Sequence, residues 1–292
     1  MEWVVIAFAS ALFSAAATIL EKKNLFTLDA LQFSFVLALL NMVFSIPFLI
    51  NIDFSAISLI SLFILYIKTI LGALAFLCVM LAIKNLAISG SLPLLVLTPG
   101  LVAFFAFLFI DESLNSFEII GMVLLLVGTY TLEAKPGYDI LHPFKVFYKS
   151  KFHHYIIFAL LLFTITSILD KVLLKNYHLP TYAFIGFQQI FLAFNFLIIV
   201  LIAKKNPIKL INSININIWK WIILTSILTV GYRYAHIEAV KLASVALVLS
   251  IKRTSVFFAA IGGGKIFNEQ NLLKKAYATA IMIVGAIFIV NS

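Results

Sequence analysis

Lys252 and Arg253 stand side by side at the centre of an apolar run from residue 243 to 263. At 1.5 Å per helical residue, each charge would lie roughly 12–15 Å from either end of such a run, too far for the side chain to retreat fully to water. Two cations at that depth call for an anion. Arginine offers a planar fork that takes a carboxylate or phosphate through two bonds, and lysine adds a point charge. The other partner open to them is a buried carboxylate of the protein itself, and Glu21 and Asp170, both towards the ends of apolar runs, are the nearest in depth.

Four more ionisable residues fall inside apolar runs: Lys68, Arg233, His236 and Glu238. Such groups are costly in a bilayer and usually face a cavity or a partner. Arg233 and His236 are one helical turn apart and share a face, with Tyr232 and Tyr234 flanking the arginine. Arg233 is therefore a second anion-ligand candidate and His236 a proton-sensitive one. Equally, Arg233 pairs with Glu238 or carbonyls, and His236 is a packing residue. Lys68 is a third cation of the set, or an interfacial lysine if its run starts later. Gln32, Asn41, Gln188, Gln189 and Asn195 line a cavity or bond between helices. Glu112 and Glu269 read as helix-start residues, each favouring the amides and dipole of the next helix. Phosphate-binding loops, zinc-spaced His/Cys sets and nucleophile elbows are absent, so the sequence predicts neither an enzyme nor a cofactor or metal site.

The elements that must position these residues are set by composition. Of 292 residues, 63% are hydrophobic and 11% charged, and mean hydropathy is +1.13. A soluble domain is nearer half apolar and a quarter charged. A soluble enzyme, a nucleic-acid binder and a disulfide-stapled secreted domain are excluded; Cys78 is the lone cysteine. Apolar runs near 3–22, 30–50, 58–82, 88–110, 115–133, 153–176, 181–203, 218–240, 243–263 and 272–290 are each long enough to cross a bilayer as a helix. The first, opening Met1-Glu2-Trp3 without a basic leader, reads as a retained helix. The net charge of +9 comes from 19 lysines and two arginines against 12 acids. Most lysines fall in the loops after odd-numbered runs, which by the positive-inside rule puts those loops in the cytoplasm and both termini outside. Residues 134–152 form an interfacial linker.

A shift of 157 residues superposes Ala82-Ile83-Lys84 on Ala239-Val240-Lys241, Asp111-Glu112 on Asn268-Glu269, and Gly128 on Gly285. Glu21-Lys22 resembles Asp170-Lys171 at a slightly smaller shift. Five runs per half is an odd number, so the second half enters the membrane inverted. Inverted repeats are a mark of secondary transporters, whose sites lie near the midplane between the halves.

The unit Ala-x-Lys, an apolar helix, then Phe109-Ile110-Asp111-Glu112 or Ile266-Phe267-Asn268-Glu269, then a glycine-marked helix, resembles the EamA unit of the drug/metabolite transporter superfamily. The resemblance spans the chain as two such units. It implies ten transmembrane helices and alternating-access transport of small solutes, with termini in the cytoplasm, against the lysine count. Ala11-Leu12-Phe13-Ser14 stands where relatives carry Trp-Gly, and Gly262-Gly263-Gly264-Lys265 where an aromatic often sits. Lys252-Arg253 also resembles the pair that grips phosphate in plastid sugar-phosphate exchangers, but the fourth-helix lysine of those proteins is replaced here by Leu95.

The expectation is an all-α integral membrane protein of ten transmembrane helices, as two inverted five-helix EamA-like repeats at 1–133 and 153–292 joined by the linker 134–152. It would sit in the cell membrane of a prokaryote as a monomer or homodimer and move a small anionic or zwitterionic metabolite held by Lys252, Arg253, Arg233, His236 and Lys68. The alternative is a broad-specificity EamA exporter of hydrophobic, cationic or amino-acid-like compounds, in which Lys252-Arg253 is structural.

Overall fold

The structure, a computed structural model, describes residues 2–50, 52, 54, 57–97, 101, 115–133, 148–242 and 245–290. These residues are mostly helical, joined by turns and short connections, with no strand among them. In order they form α1 (Glu2–Leu25), α2 (Ala30–Ser45), α3 (Leu59–Asn85), α4 (Ile88–Ser91), α5 (Ser116–Glu133), α6 (Lys151–Lys175), α7 (Thr181–Ile202), α8 (Pro207–Asn212), α9 (Ile216–Leu242), α10 (Val245–Ile266) and α11 (Leu272–Val290). Five segments among the described residues are long and apolar enough to cross a membrane: α1, Ala30–Leu49, α3, Lys151–Leu174 and α7.

Helix ends follow local chemistry. Ser58 caps α3 by accepting the Ser61 N–H at 3.0 Å, and Asn206 caps α8 ahead of Pro207. Three helices end on a residue in the left-handed region: His178 after α6, Lys204 after α7 and Asn268 after α10. In each, the next N–H reaches back to a helix carbonyl, six residues from Leu179 to Leu173 and five from Lys205 to Val200 and from Glu269 to Gly264. The fourth apolar run is not a continuous α-helix where it is described. Four α-helical residues give way to 3-10 geometry over Leu92–Leu97, where Pro93 lacks an N–H and crowds the preceding turn.

Packing is reciprocal between the two parts of the chain. α1 lies along α9, and α6 lies along α3; α2 packs on α7, and α5 on α11. Polar bonds repeat the pattern. Asn41 of α2 accepts from Ser226 of α9 at 2.6 Å, while Asn195 of α7 donates to Thr69 of α3 at 3.1 Å. Asn24 of α1 donates to Thr225 of α9 at 3.2 Å. α5 and α11 meet through glycine: a Cβ on Gly285 would stand 2.7 Å from the Gly121 carbonyl oxygen, and one on Gly128 would collide with Met282. The largest apolar core joins α2, α3, α7 and α9 around Phe33, Phe35, Ile83, Phe196 and Ile222. Outward faces stay apolar, as with Phe63, Ile67, Ile70 and Leu74 of α3, the surface a lipid-facing helix needs.

Candidate functional site

Three helices bring cations to one layer. Lys68 lies nine residues into α3, Lys252 seven residues into α10, and Arg233 nine residues before the end of α9. At 1.5 Å per residue these are depths of about 10–14 Å from the end of the bundle where α9 passes into α10. The Tyr232 ring is shared by two of them: its centroid is 5.8 Å from the Arg233 guanidinium and 5.9 Å from the Lys252 ammonium. Lys68 and Arg233 are within electrostatic range of each other.

Lys68 is buried, not interfacial, because α3 begins a full nine residues before it. Its ammonium is well provided for. It contacts Asp170 of α6 at 2.5 Å, donates to Gln188 Oε1 of α7 at 2.8 Å, and lies 4.5 Å from the centre of the Phe184 ring. An ammonium has three donors, and this setting occupies it from three directions. Asp170 thus serves Lys68.

Arg233 is placed differently. Its Nε is buried with no hydrogen-bond partner. The carboxylate within its electrostatic range is Glu21 of α1. The register explains the approach. Asn24 bonds to Thr225, and Glu21 lies one turn before Asn24 on the same face of α1. Thr225, Thr229 and Arg233 follow at four-residue steps along the facing side of α9. At the other end of the contact, the Ser10 hydroxyl donates to the Tyr232 carbonyl at 2.7 Å.

His236 lies one turn beyond Arg233 on α9, partly buried. The Arg253 side chain lies outside the described residues; α10 carries its backbone next to Lys252. Lys68, Arg233 and Lys252 are therefore brought together, with His236 at the margin. Three features escaped the sequence reading: Gln188 as the lysine acceptor, the α1–α9 polar seam, and the use of Glu269. The stripe of Thr225, Thr229 and Arg233 at helical spacing was the signal for the seam.

Glu269 does not cap its own following helix. It accepts the N–H of Ile88 at 2.6 Å and of Ser89 at 3.0 Å, together with the Ser89 hydroxyl. It therefore satisfies the start of α4, because the left-handed turn at Asn268 aims it across the bundle. Beside it, Lys22 donates to the carbonyls of Ile83 and Leu86 at the end of α3, the latter at 2.9 Å. Glu112, its counterpart in the sequence repeat, lies outside the described residues.

No curated protein matches the chain. Solved structures match its fold: one described as "Crystal structure of protein" aligns with a TM-score of 0.63 at 13% identity, covering 99% of this chain and 96% of that one. Residues 1–133, the part that supplies Glu21 and Lys68, match the EamA-like transporter family, so this part of the chain is EamA-like, a unit of membrane transporters of small molecules.

Proposed function

We propose that the protein is a secondary active transporter of a small anionic or zwitterionic metabolite, working by alternating access between two inverted five-helix halves in a prokaryotic cell membrane. The observation that carries this reading is Arg233: a guanidinium inside an apolar bundle whose buried Nε is left without a partner. An unmatched donor of that kind is costly, and a substrate carboxylate or phosphate would satisfy it. Lys252, 5.9 Å from the Tyr232 ring that Arg233 also approaches, adds a second positive charge to the same place, and Arg253 and His236 are the neighbouring candidates on α10 and α9. Lys68 contributes to the field of the layer while bonded to Asp170.

The reciprocal packing of α1 on α9 and α6 on α3, matched by the paired Asn41–Ser226 and Asn195–Thr69 bonds, supports the two inverted halves. Rocking of one half against the other would open the layer alternately to each side. Members of the family are transporters rather than enzymes.

The test is flux into proteoliposomes with labelled inorganic phosphate, succinate and glutamate, against a cationic and a hydrophobic probe. The expected result is uptake of an anionic or zwitterionic probe that Arg233→Ala and Arg253→Ala abolish while the purified protein stays folded. Preference for the cationic or hydrophobic probe, or unchanged uptake in both variants, overturns the reading.

A further inference from the structure

The seam between α1 and α9 holds more unmet polar chemistry than an anion ligand alone requires. Glu21 is 6% exposed, and its carboxylate has no hydrogen bond or salt bridge among the described residues. Along the same interface, Asn24 Oδ1, Thr229 Oγ1 and Arg233 Nε are buried without hydrogen-bond partners. A carboxylate and a guanidinium thus share one seam, within electrostatic range but not in contact.

The surrounding charges leave Arg233 as the cation whose charge acts on Glu21. Its sequence neighbours point elsewhere: Lys22 to the α3 carbonyls, and Lys23 over the Trp221 ring at 3.4 Å. On α3, Lys68 contacts Asp170 and Lys84 contacts Asp29. α2 carries no ionisable residue. On α10, Lys252 lies by Tyr232, Lys265 is exposed, and the Arg253 side chain is outside the described residues. On α9, Lys220 is exposed beside the Trp221 ring, and His236 and Glu238 lie towards the opposite end from Glu21.

Two negative charges cannot share this seam cheaply. While Arg233 has no other anion, its charge supports an ionised Glu21. Once a substrate anion occupies Arg233, that support is spent on the newcomer, and a buried carboxylate without a cation becomes neutral by taking a proton. We propose that Glu21 is a coupling-proton site: it binds a proton as an anion binds Arg233 and releases it as the anion leaves. The proton comes from water on the side to which the layer is open and goes to water on the other side, so a monoanion and one proton cross together with no net charge. By linkage, the anion in turn binds more tightly as pH falls.

The transport half of this rests on the transporter reading above; the proton site is tested without it. Infrared spectroscopy on the purified full chain in nanodiscs follows the carbonyl band of a protonated carboxyl. On acid titration, wild type should develop a band that Glu21→Gln lacks. At neutral pH, Arg233→Gln should show that band, and the double variant should not. A titration identical in wild type and Glu21→Gln, or a band in Arg233→Gln that persists in the double variant, overturns the site. In proteoliposomes with the probes named above supplied outside, an inward proton gradient should speed wild-type uptake by up to about tenfold per pH unit and leave Glu21→Gln unresponsive. Uptake indifferent to the gradient in wild type overturns the coupling. If no probe moves, it is the transporter reading that fails, and the infrared result still decides Glu21.

Discussion

Glu269, just past the end of α10, accepts the backbone N–H of Ile88 at 2.6 Å, 181 residues earlier in the chain. The bond ties the start of α4 to the turn that leads into the last helix. With Lys22 capping α3 on the other side of the same two-residue connection, the Leu86–Ala87 junction is held by one acid and one base from distant segments.

Removing that acid should cost stability. Glu269→Ala leaves the amides of Ile88 and Ser89 without their acceptor, a loss of about 1–3 kcal/mol. Glu269→Gln keeps one acceptor oxygen and should cost less. Thermal unfolding in detergent checks the order. Asn268→Gly should be tolerated because its φ of 53° suits glycine, whereas Asn268→Val should destabilise by about 1–2 kcal/mol.

The Lys68–Asp170 pair should respond unevenly to its two truncations. The Lys68 side chain is 9% exposed and that of Asp170 40%. Asp170→Ala strands a buried ammonium with Gln188 as its remaining side-chain acceptor, a cost at the level of about 3–5 kcal/mol. Lys68→Met leaves a carboxylate that water can reach and should cost clearly less. A double-mutant cycle on unfolding midpoints measures the difference.

Asp29, in the turn before α2, should make the loop contacts acid-sensitive. A hydrogen bond from Lys84 holds its carboxyl below the ordinary carboxylate range, and the charges of Lys84 and Lys205 add to this against a partial loss of hydration. A lowered value means the stabilisation is complete at neutral pH and fades as pH falls through and below the ordinary carboxylate range. Both pairs are exposed, so the effect should stay under about 1 kcal/mol. Asp29→Asn should flatten that part of the pH–stability curve.

The α5–α11 contact should reject any added side chain. Gly285→Ala places a Cβ against the Gly121 carbonyl, and overpacking of this kind costs about 1–3 kcal/mol. Gly72→Ala, with nothing within 4 Å of the new atom, should be neutral or stabilising by up to about 1 kcal/mol. Melting temperatures of the two variants compare them directly.

Much of the helical frame was legible because bilayer-length apolar runs leave little choice of element. α1, α3, α7 and α11 begin and end within three residues of the expected limits. The exception was the run from 88: hydropathy cannot see that Pro93 turns it to 3-10 geometry, nor did it mark the six-residue α8. Site residues were legible by type, not by partner. Lys68, Arg233 and Lys252 stand out as charges in apolar surroundings, yet their different fates depend on helix register. Asp170 reaches Lys68 because α6 runs along α3, and Glu21 lies on the α1 face that meets α9 because Asn24 meets Thr225. Glu269 was misassigned because spacing along the chain suggests the nearest helix, while the left-handed turn at Asn268 directs it to a remote one.

The crossed amide–hydroxyl bonds bear on how the chain is made. Asn41 and Thr69 leave the ribosome long before Ser226 and Asn195, their partners. In lipid no water replaces a missing partner, so α2 must wait in the bilayer with the Asn41 amide unanswered, while the Thr69 hydroxyl meets the Tyr66 carbonyl of its own helix. Residues 1–133 expressed alone should therefore be rapidly degraded, and co-expression of 134–292 should rescue them. Assembly is a late event in synthesis, and a truncating mutation near the end would endanger the beginning as much as the end.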